Sequence, residues 1–130
     1  NMNAYEQFVT CHPELEIVLE LVGSHFFELL DWPNGPKSFL IFLKSIDYTY
    51  PCNLYFGKKF YIERYLEIFR ESIRWFENVY DYEEIFQSNK RWIGYISERV
   101  FTFYIEYLIH YKKITVRELP LLLLPFDQSI

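Results

Sequence analysis

The chain has 130 residues, of which 51% are hydrophobic, 22% aromatic and 24% charged, enough for one domain around a single core. That apolar share excludes intrinsic disorder, and 4 Gly and 6 Pro with no short repeat exclude collagen-like and low-complexity architectures. The net charge of -5 supplies no basic face for a phosphate backbone, so general nucleic-acid binding is not expected.

The charge is uneven. Residues 1–35 hold Glu6, Glu14, Glu16, Glu20, Glu28 and Asp31 without a Lys or Arg, whereas the remainder is nearly balanced. The first helix is therefore expected either to be solvated or to pair with cations on later helices. Cys11 and Cys52 have neither CxxC spacing nor a histidine partner at zinc spacing, so they read as reduced thiols. The longest apolar run, residues 119–126, is broken by Pro120 and Pro125 and falls short of the roughly 20 residues that span a bilayer. No stretch has the form of a signal peptide, and the expectation is a soluble cytoplasmic chain without a transmembrane segment.

In chain order, residues 13–30 carry Leu15, Val18, Leu19, Val22, Phe26, Leu29 and Leu30 at helical spacing, with Pro13 suited to the first turn. Two prolines and a glycine in residues 31–36 break the pattern, and a short helix is expected over residues 37–45. Residues 47–57 read as a turn and a short strand at 53–56, ended by Gly57. A long helix over 58–79 places Ile62, Leu66, Phe69, Ile73 and Phe76 on one stripe. The polar stretch 80–90 reads as a loop with at most one helical turn. A third major helix over 91–109 carries Trp92, Ile96, Val100, Phe103 and Tyr107 on its core face. Residues 112–124 then read as an irregular or edge strand, limited by Pro120.

Metal-site and nucleotide-loop chemistry find little footing. His12, His25 and His110 share no metal-ligand spacing and read as surface or helix-end histidines. Ser24 beside His25 lacks the glycines of a nucleophile elbow. Gly23, Gly35, Gly57 and Gly94 are isolated, so no phosphate-cradling loop is present. Asp81-Tyr82-Glu83 comes nearest to the acidic pair that holds a divalent cation against a diphosphate, but it reads as a solvated turn.

Rows of tyrosine suit sugar clefts, where ring faces stack and hydroxyls hydrogen-bond. Tyr48, Tyr50, Tyr55, Tyr61, Tyr65, Tyr95, Tyr104 and Tyr107 could line one, although aromatics at helical spacing are more often core. More informative is Arg91-Trp-Ile-Gly-Tyr-Ile-Ser-Glu-Arg-Val100, because it sets Glu98 and Arg99 into a helix that is apolar on its inner side. Buried charges need a partner, either each other in a structural ion pair or a polar ligand.

Several short motifs occur in order along the chain: Asn3-Ala-Tyr-Glu-Gln-Phe8 with His12, Leu15-Glu-Ile-Val18, Cys52-Asn-Leu-Tyr-Phe56, Trp92-Ile-Gly-Tyr-Ile-Ser-Glu-Arg-Val-Phe101 and Val116-Arg-Glu-Leu-Pro120. With them the chain resembles the bacterial family called domain of unknown function 4422, whose members look like glycosyltransferases of capsular, exopolysaccharide and lipopolysaccharide assembly. The resemblance is to the C-terminal half of that family's domain. It implies the acceptor-side part of a larger α/β glycosyltransferase fold whose nucleotide sugar lies on a parallel sheet absent from these residues, either as a piece of a longer transferase or as a shortened protein that keeps the acceptor-side helices without the donor site. Catalysis by these residues alone is accordingly not expected.

The resemblance also implies a substrate-binding set. Tyr5, His12, Asn53, Ser97, Glu98 and Arg99 match family motifs, and Tyr55 and Arg91 lie within or beside them. Asn53 and His12 would bond sugar hydroxyls, and Arg99, oriented by Glu98, would meet phosphate or carboxylate. Leu54 departs from the family's methionine, and residues 31–45 depart from its usual linker. The implied partners are a nucleotide sugar and a saccharide acceptor. No cofactor is expected in this chain, with a divalent metal reserved for a longer enzyme, and a place beside the inner membrane is compatible with such a pathway.

The expected fold class is thus α+β and mainly α-helical, a single domain over residues 1–130 with three long helices, one short helix and two or three short strands. No catalytic residue is assigned. The alternative function is a noncatalytic helical interaction module, or a homodimer, whose surplus aromatics form an interface.

Overall fold

A computed structural model describes residues 2–50, 58–81 and 83–115, which form six α-helices and one short 3-10 turn. Helix α1, Ala4–Cys11, is set by a reciprocal cap. The Asn3 side chain accepts from Glu6 N at 2.8 Å, and the Glu6 carboxylate accepts from Asn3 N at 3.0 Å. Only Ala4 and Phe8 of this helix are buried, too few to register as a hydrophobic period, and the sequence pattern does not announce it. Its first amide, Ala4 N, donates to Ile46 O at 2.7 Å.

The helix expected over residues 13–30 starts as a tight turn, Pro13–Leu15, and continues as α2, Glu16–Leu30. Its inner face is Val18, Leu19, Val22, Gly23, Phe26 and Leu30, while Leu29, expected on that face, is exposed. Glu14, Glu16, Glu20 and Glu28 are also exposed, and the ion pairs among the described residues all lie in α4 and α6. The acidic first third is therefore a solvated face. Helix α2 closes on Asp31 in the left-handed region at φ 52°, which a short polar side chain tolerates.

Helix α3, Phe39–Lys44, is capped by Ser38, whose hydroxyl accepts from Ile41 N at 3.1 Å. It packs on α2 where Gly23 offers no side chain: a Cβ there would lie 2.1 Å from Phe39 Cε2. Gly23→Ala is expected to destabilise the fold by about 1–3 kcal/mol through overpacking, despite the better helix propensity of alanine. An unchanged urea midpoint would mean that the Phe39 ring moves aside freely.

Helix α4, Lys59–Val79, spans the expected range, and its core face includes Phe69, Ile73 and Phe76 of the expected stripe but not Ile62 and Leu66. Tyr65, Ile68, Phe69, Ser72, Ile73 and Phe76 are buried, whereas Leu66 is exposed and Ile62 half-buried. Tyr65 takes the inner position because its hydroxyl reaches Ser97 O at 3.1 Å while its ring stacks on Phe69. Helix α5, Glu83–Ser88, replaces most of the expected loop. Helix α6, Trp92–His110, buries the whole predicted stripe, and residues 100–108 are buried on every side.

Helix α2 packs against α3, α4 and α6 and forms the centre of the bundle. Phe103 of α6 occupies the middle of the aromatic core, with ring centroids of Phe26, Phe27, Trp32, Phe39 and Phe42 at 5.2 to 6.3 Å. Mainly helical is thus correct, and no strand occurs among the described residues. The β-favouring stretches 53–56 and 119–124 lie outside the described residues, and residues 112–115 fold back on the end of α6, with Ile114 N donating to Leu108 O at 2.9 Å. Among the described residues no helix is long and apolar enough to cross a membrane.

Candidate functional site

Four of the sequence-predicted residues, His12, Arg91, Glu98 and Arg99, converge where α1 ends against α6. His12 caps α1, its amide donating to Phe8 O at 2.7 Å, and Pro13 turns the chain away immediately after it. This places the imidazole against Tyr95 of α6, centroids 4.0 Å apart and planes 22° from parallel. Arg91, just before α6, lies with its guanidinium carbon 5.6 Å from the Tyr95 centroid. One turn further along, Arg99 lies over the Phe8 ring at 4.9 Å, and its Nη1 donates to Tyr95 O at 3.3 Å. Phe8 and His12 are themselves in ring contact at 5.5 Å.

The result is a continuous run from Arg91 through Tyr95, His12 and Phe8 to Arg99 and Glu98. Glu98 Oε1 stands 3.6 Å from Arg99 Nη1 and accepts from Thr49 Oγ1 at 2.9 Å. The two charges are not equally embedded: 13% of the Arg99 side chain is exposed against 37% for Glu98. Burial pulls the Arg99 pKa below the usual guanidinium range, and Glu98 partly offsets this. Arg99 Nε is buried without a hydrogen-bond partner.

Other predicted residues lie elsewhere. Ser97 faces the core, its hydroxyl 2.7 Å from Tyr65 Oη. Tyr5 is half-buried against the core, donating to a Glu16 carboxylate oxygen with Lys44 above its ring at 4.9 Å. Asn53 and Tyr55 lie outside the described residues. Of the other candidate cleft tyrosines, Tyr65, Tyr104 and Tyr107 are core, and Tyr50, Tyr61 and Tyr95 are half-buried.

The hydrogen bond to Glu16 is the largest of the influences that push the Tyr5 phenol from 10.0 up to about 12. The raised value means that the folded chain keeps a proton that the unfolded chain releases near pH 10. The contribution is complete below pH 10 and declines as pH rises through about 12. Spectrophotometric titration is expected to show a late-ionising tyrosine that disappears in Tyr5→Phe, and an identical titration of the two proteins would contradict the bond.

A second polar cluster, not foreseen from the sequence, adjoins the first. Thr102 Oγ1 accepts from Tyr50 N at 2.8 Å and donates to Glu98 O at 2.8 Å. Buried Glu106 accepts from the Tyr48 hydroxyl and from Tyr50 Oη at 3.4 Å, and His110 Nε2 stands 2.9 Å from its other oxygen. Burial, followed by the bond to Glu106, raises the Tyr48 pKa. The available signal was Glu106 itself, a lone carboxylate within the apolar run 100–108 of α6.

Neither of the two concavities described on the surface includes Glu98 or Arg99. One, of about 1150 Å³, runs along α4 and Leu29, and the other, of about 340 Å³, lies between the start of α1 and residues 44–48. Among the described residues no group of three or more His, Cys, Asp or Glu is placed to hold a metal. No family model, curated protein or solved structure matches the chain.

Proposed function

We propose that these residues form the acceptor-side helical part of a glycosyltransferase of bacterial surface-polysaccharide synthesis. The reading is supported by one juxtaposition: His12, Tyr95, Arg91, Arg99 and Glu98, from two distant segments, adjoin each other around a partly exposed aromatic stack. Planar rings beside charged hydrogen-bonding groups are the elements of saccharide recognition. In the reaction an acceptor hydroxyl bonds to the anomeric carbon of a nucleotide sugar, the nucleoside diphosphate leaves, and a base takes the hydroxyl proton. The part assigned to this chain is to hold the acceptor, while the nucleotide sugar and any divalent metal belong to a longer enzyme.

Titration of the 15N-labelled chain with oligosaccharides is expected to shift the amides of residues 12, 95 and 99, and Tyr95→Ala should abolish the effect. Shifts absent at these positions at saturating saccharide would overturn the reading.

A second reading, a homodimer, is favoured by the groove along α4. Phe60 is 69% exposed there, and Leu29 and Leu66 are also exposed. The same groove alternates Lys59, Glu63, Arg64, Glu67, Arg70 and Glu71, which allows opposite charges to meet across two antiparallel copies. Sedimentation equilibrium should then report a dimer that Phe60→Glu dissociates, and a monomer at every concentration would remove this reading.

A further inference from the structure

Helices α4 and α6 run antiparallel. Phe76 meets Trp92 at 5.8 Å between ring centroids, Tyr65 bonds Ser97 O, and the Tyr104 hydroxyl donates to Tyr61 O at 2.7 Å. The end of α6 therefore lies beside the start of α4. There Lys113, in the left-handed region at φ 60°, turns the chain back, Ile114 N donates to Leu108 O at 2.9 Å, and the Ile114 side chain packs on the core. The point from which residues 116–130 depart is thus fixed at the Phe60 end of α4.

Phe60 opens the groove along α4 and is 69% exposed, the highest value for a large hydrophobic side chain among the described residues. Leu66, with Leu29 from α2, continues the apolar lining. Lys59, Arg64 and Arg74 each stand within 4.0 Å of an acid on their own helix, whereas Arg70 makes no ion pair among the described residues. The groove is apolar and carries a cation to spare.

The sequence supplies an occupant of matching chemistry. Leu119-Pro-Leu-Leu-Leu-Leu-Pro-Phe126 is the longest apolar run in the chain, and Asp127 follows it. Such a run gains free energy by leaving water, and its two prolines favour extended backbone. The lengths agree: α4 from Lys59 to Arg74 covers about 22 Å at 1.5 Å per residue, and eight extended residues reach up to about 26 Å. Tethered beside Phe60, the run meets the groove at an effective concentration on the order of millimolar, which a second copy attains only in concentrated solution.

We propose that residues 119–126 of the same chain cover the α4 groove, running from Phe60 toward Arg74 and bringing Asp127 to Arg70. A groove covered in this way is closed to a second copy, so this proposal and the homodimer reading exclude each other. It does not depend on the saccharide-binding reading.

The test places a nitroxide on Ser129→Cys in the full chain, with Cys11→Ser and Cys52→Ser removing the native thiols, and follows the 15N amide signals. The amides of residues 67–74 are expected to lose most of their intensity, while those of α3 keep theirs. Adding Phe60→Glu, a change at an exposed position, should restore most of the lost intensity and increase the emission of a dye that binds apolar surface. A mixture of nitroxide-bearing unlabelled chain with 15N-labelled chain lacking the nitroxide should leave the α4 signals unchanged.

Undiminished amides at residues 67–74 would overturn the proposal. Equal losses in the mixture would do the same, since they would assign the groove to a second copy. Losses that Phe60→Glu leaves untouched would place the segment elsewhere and also overturn it. None of these outcomes alters the amide shifts at residues 12, 95 and 99 that test saccharide binding, so the two readings fail separately.

Discussion

Phe103→Ala is expected to lower the stability of the chain by about 4 kcal/mol, the largest loss from any single truncation of this core. The ring is fully buried and meets aromatic rings from α2, the turn after it and α3, so it joins three segments to α6. Removing it forfeits the transfer energy of the ring and the contacts of five aromatic neighbours that are too rigid to collapse into the space. Phe103→Leu, which leaves a smaller void, should cost roughly half as much. Urea denaturation of the two variants checks the order. Equal costs would indicate that neighbouring rings refill the site.

Glu106→Ala is expected to cost about 2–3 kcal/mol, because a charged acceptor for Tyr48, Tyr50 and His110 disappears from a buried position. Tyr48 and His110 are themselves well exposed, so water recovers part of their hydrogen bonding and the loss stays below that of a fully buried pair. Tyr48→Phe alone should cost about 1 kcal/mol, and the double variant less than the sum, because the second substitution has no bond left to break. Strict additivity would show that the two groups do not interact in solution.

The sequence was most legible where one apolar face governs a long helix. The stripe of α6 was read residue by residue, because Trp92, Ile96, Val100, Phe103 and Tyr107 all meet the core. The turn after α2 was equally readable from Pro33, Gly35 and Pro36. Helix α1 was not, because it rests on a cap at Asn3 and a bond to Ile46 rather than on periodicity. The stripe of α4 was legible at Phe69, Ile73 and Phe76 but not at its start, since hydropathy does not favour Tyr65 over Leu66 and only the hydroxyl's partner on α6 decides between them.

The candidate site was half legible. Glu98 and Arg99 drew notice as charges in an apolar helix, yet the same argument applied more strongly to Glu106, which is more buried than Glu98. Stacking of His12 on Tyr95 joins positions 83 residues apart, and no local pattern encodes such a pair. Ser97 shared a motif with Glu98 and Arg99, but a helix turns by about 100° per residue, which carried it to the opposite side.

The bond from Ala4 to Ile46 has a kinetic consequence. It closes the first three helices into a unit whose internal contacts span at most about 40 residues, whereas α6 must join α1 and α2 across far longer loops. Low sequence separation favours early assembly, so the N-terminal trio should organise first and present a preformed aromatic socket. Phe103 and the rest of α6 then dock late, and substitutions in that helix should act mainly on the rate of unfolding rather than of folding.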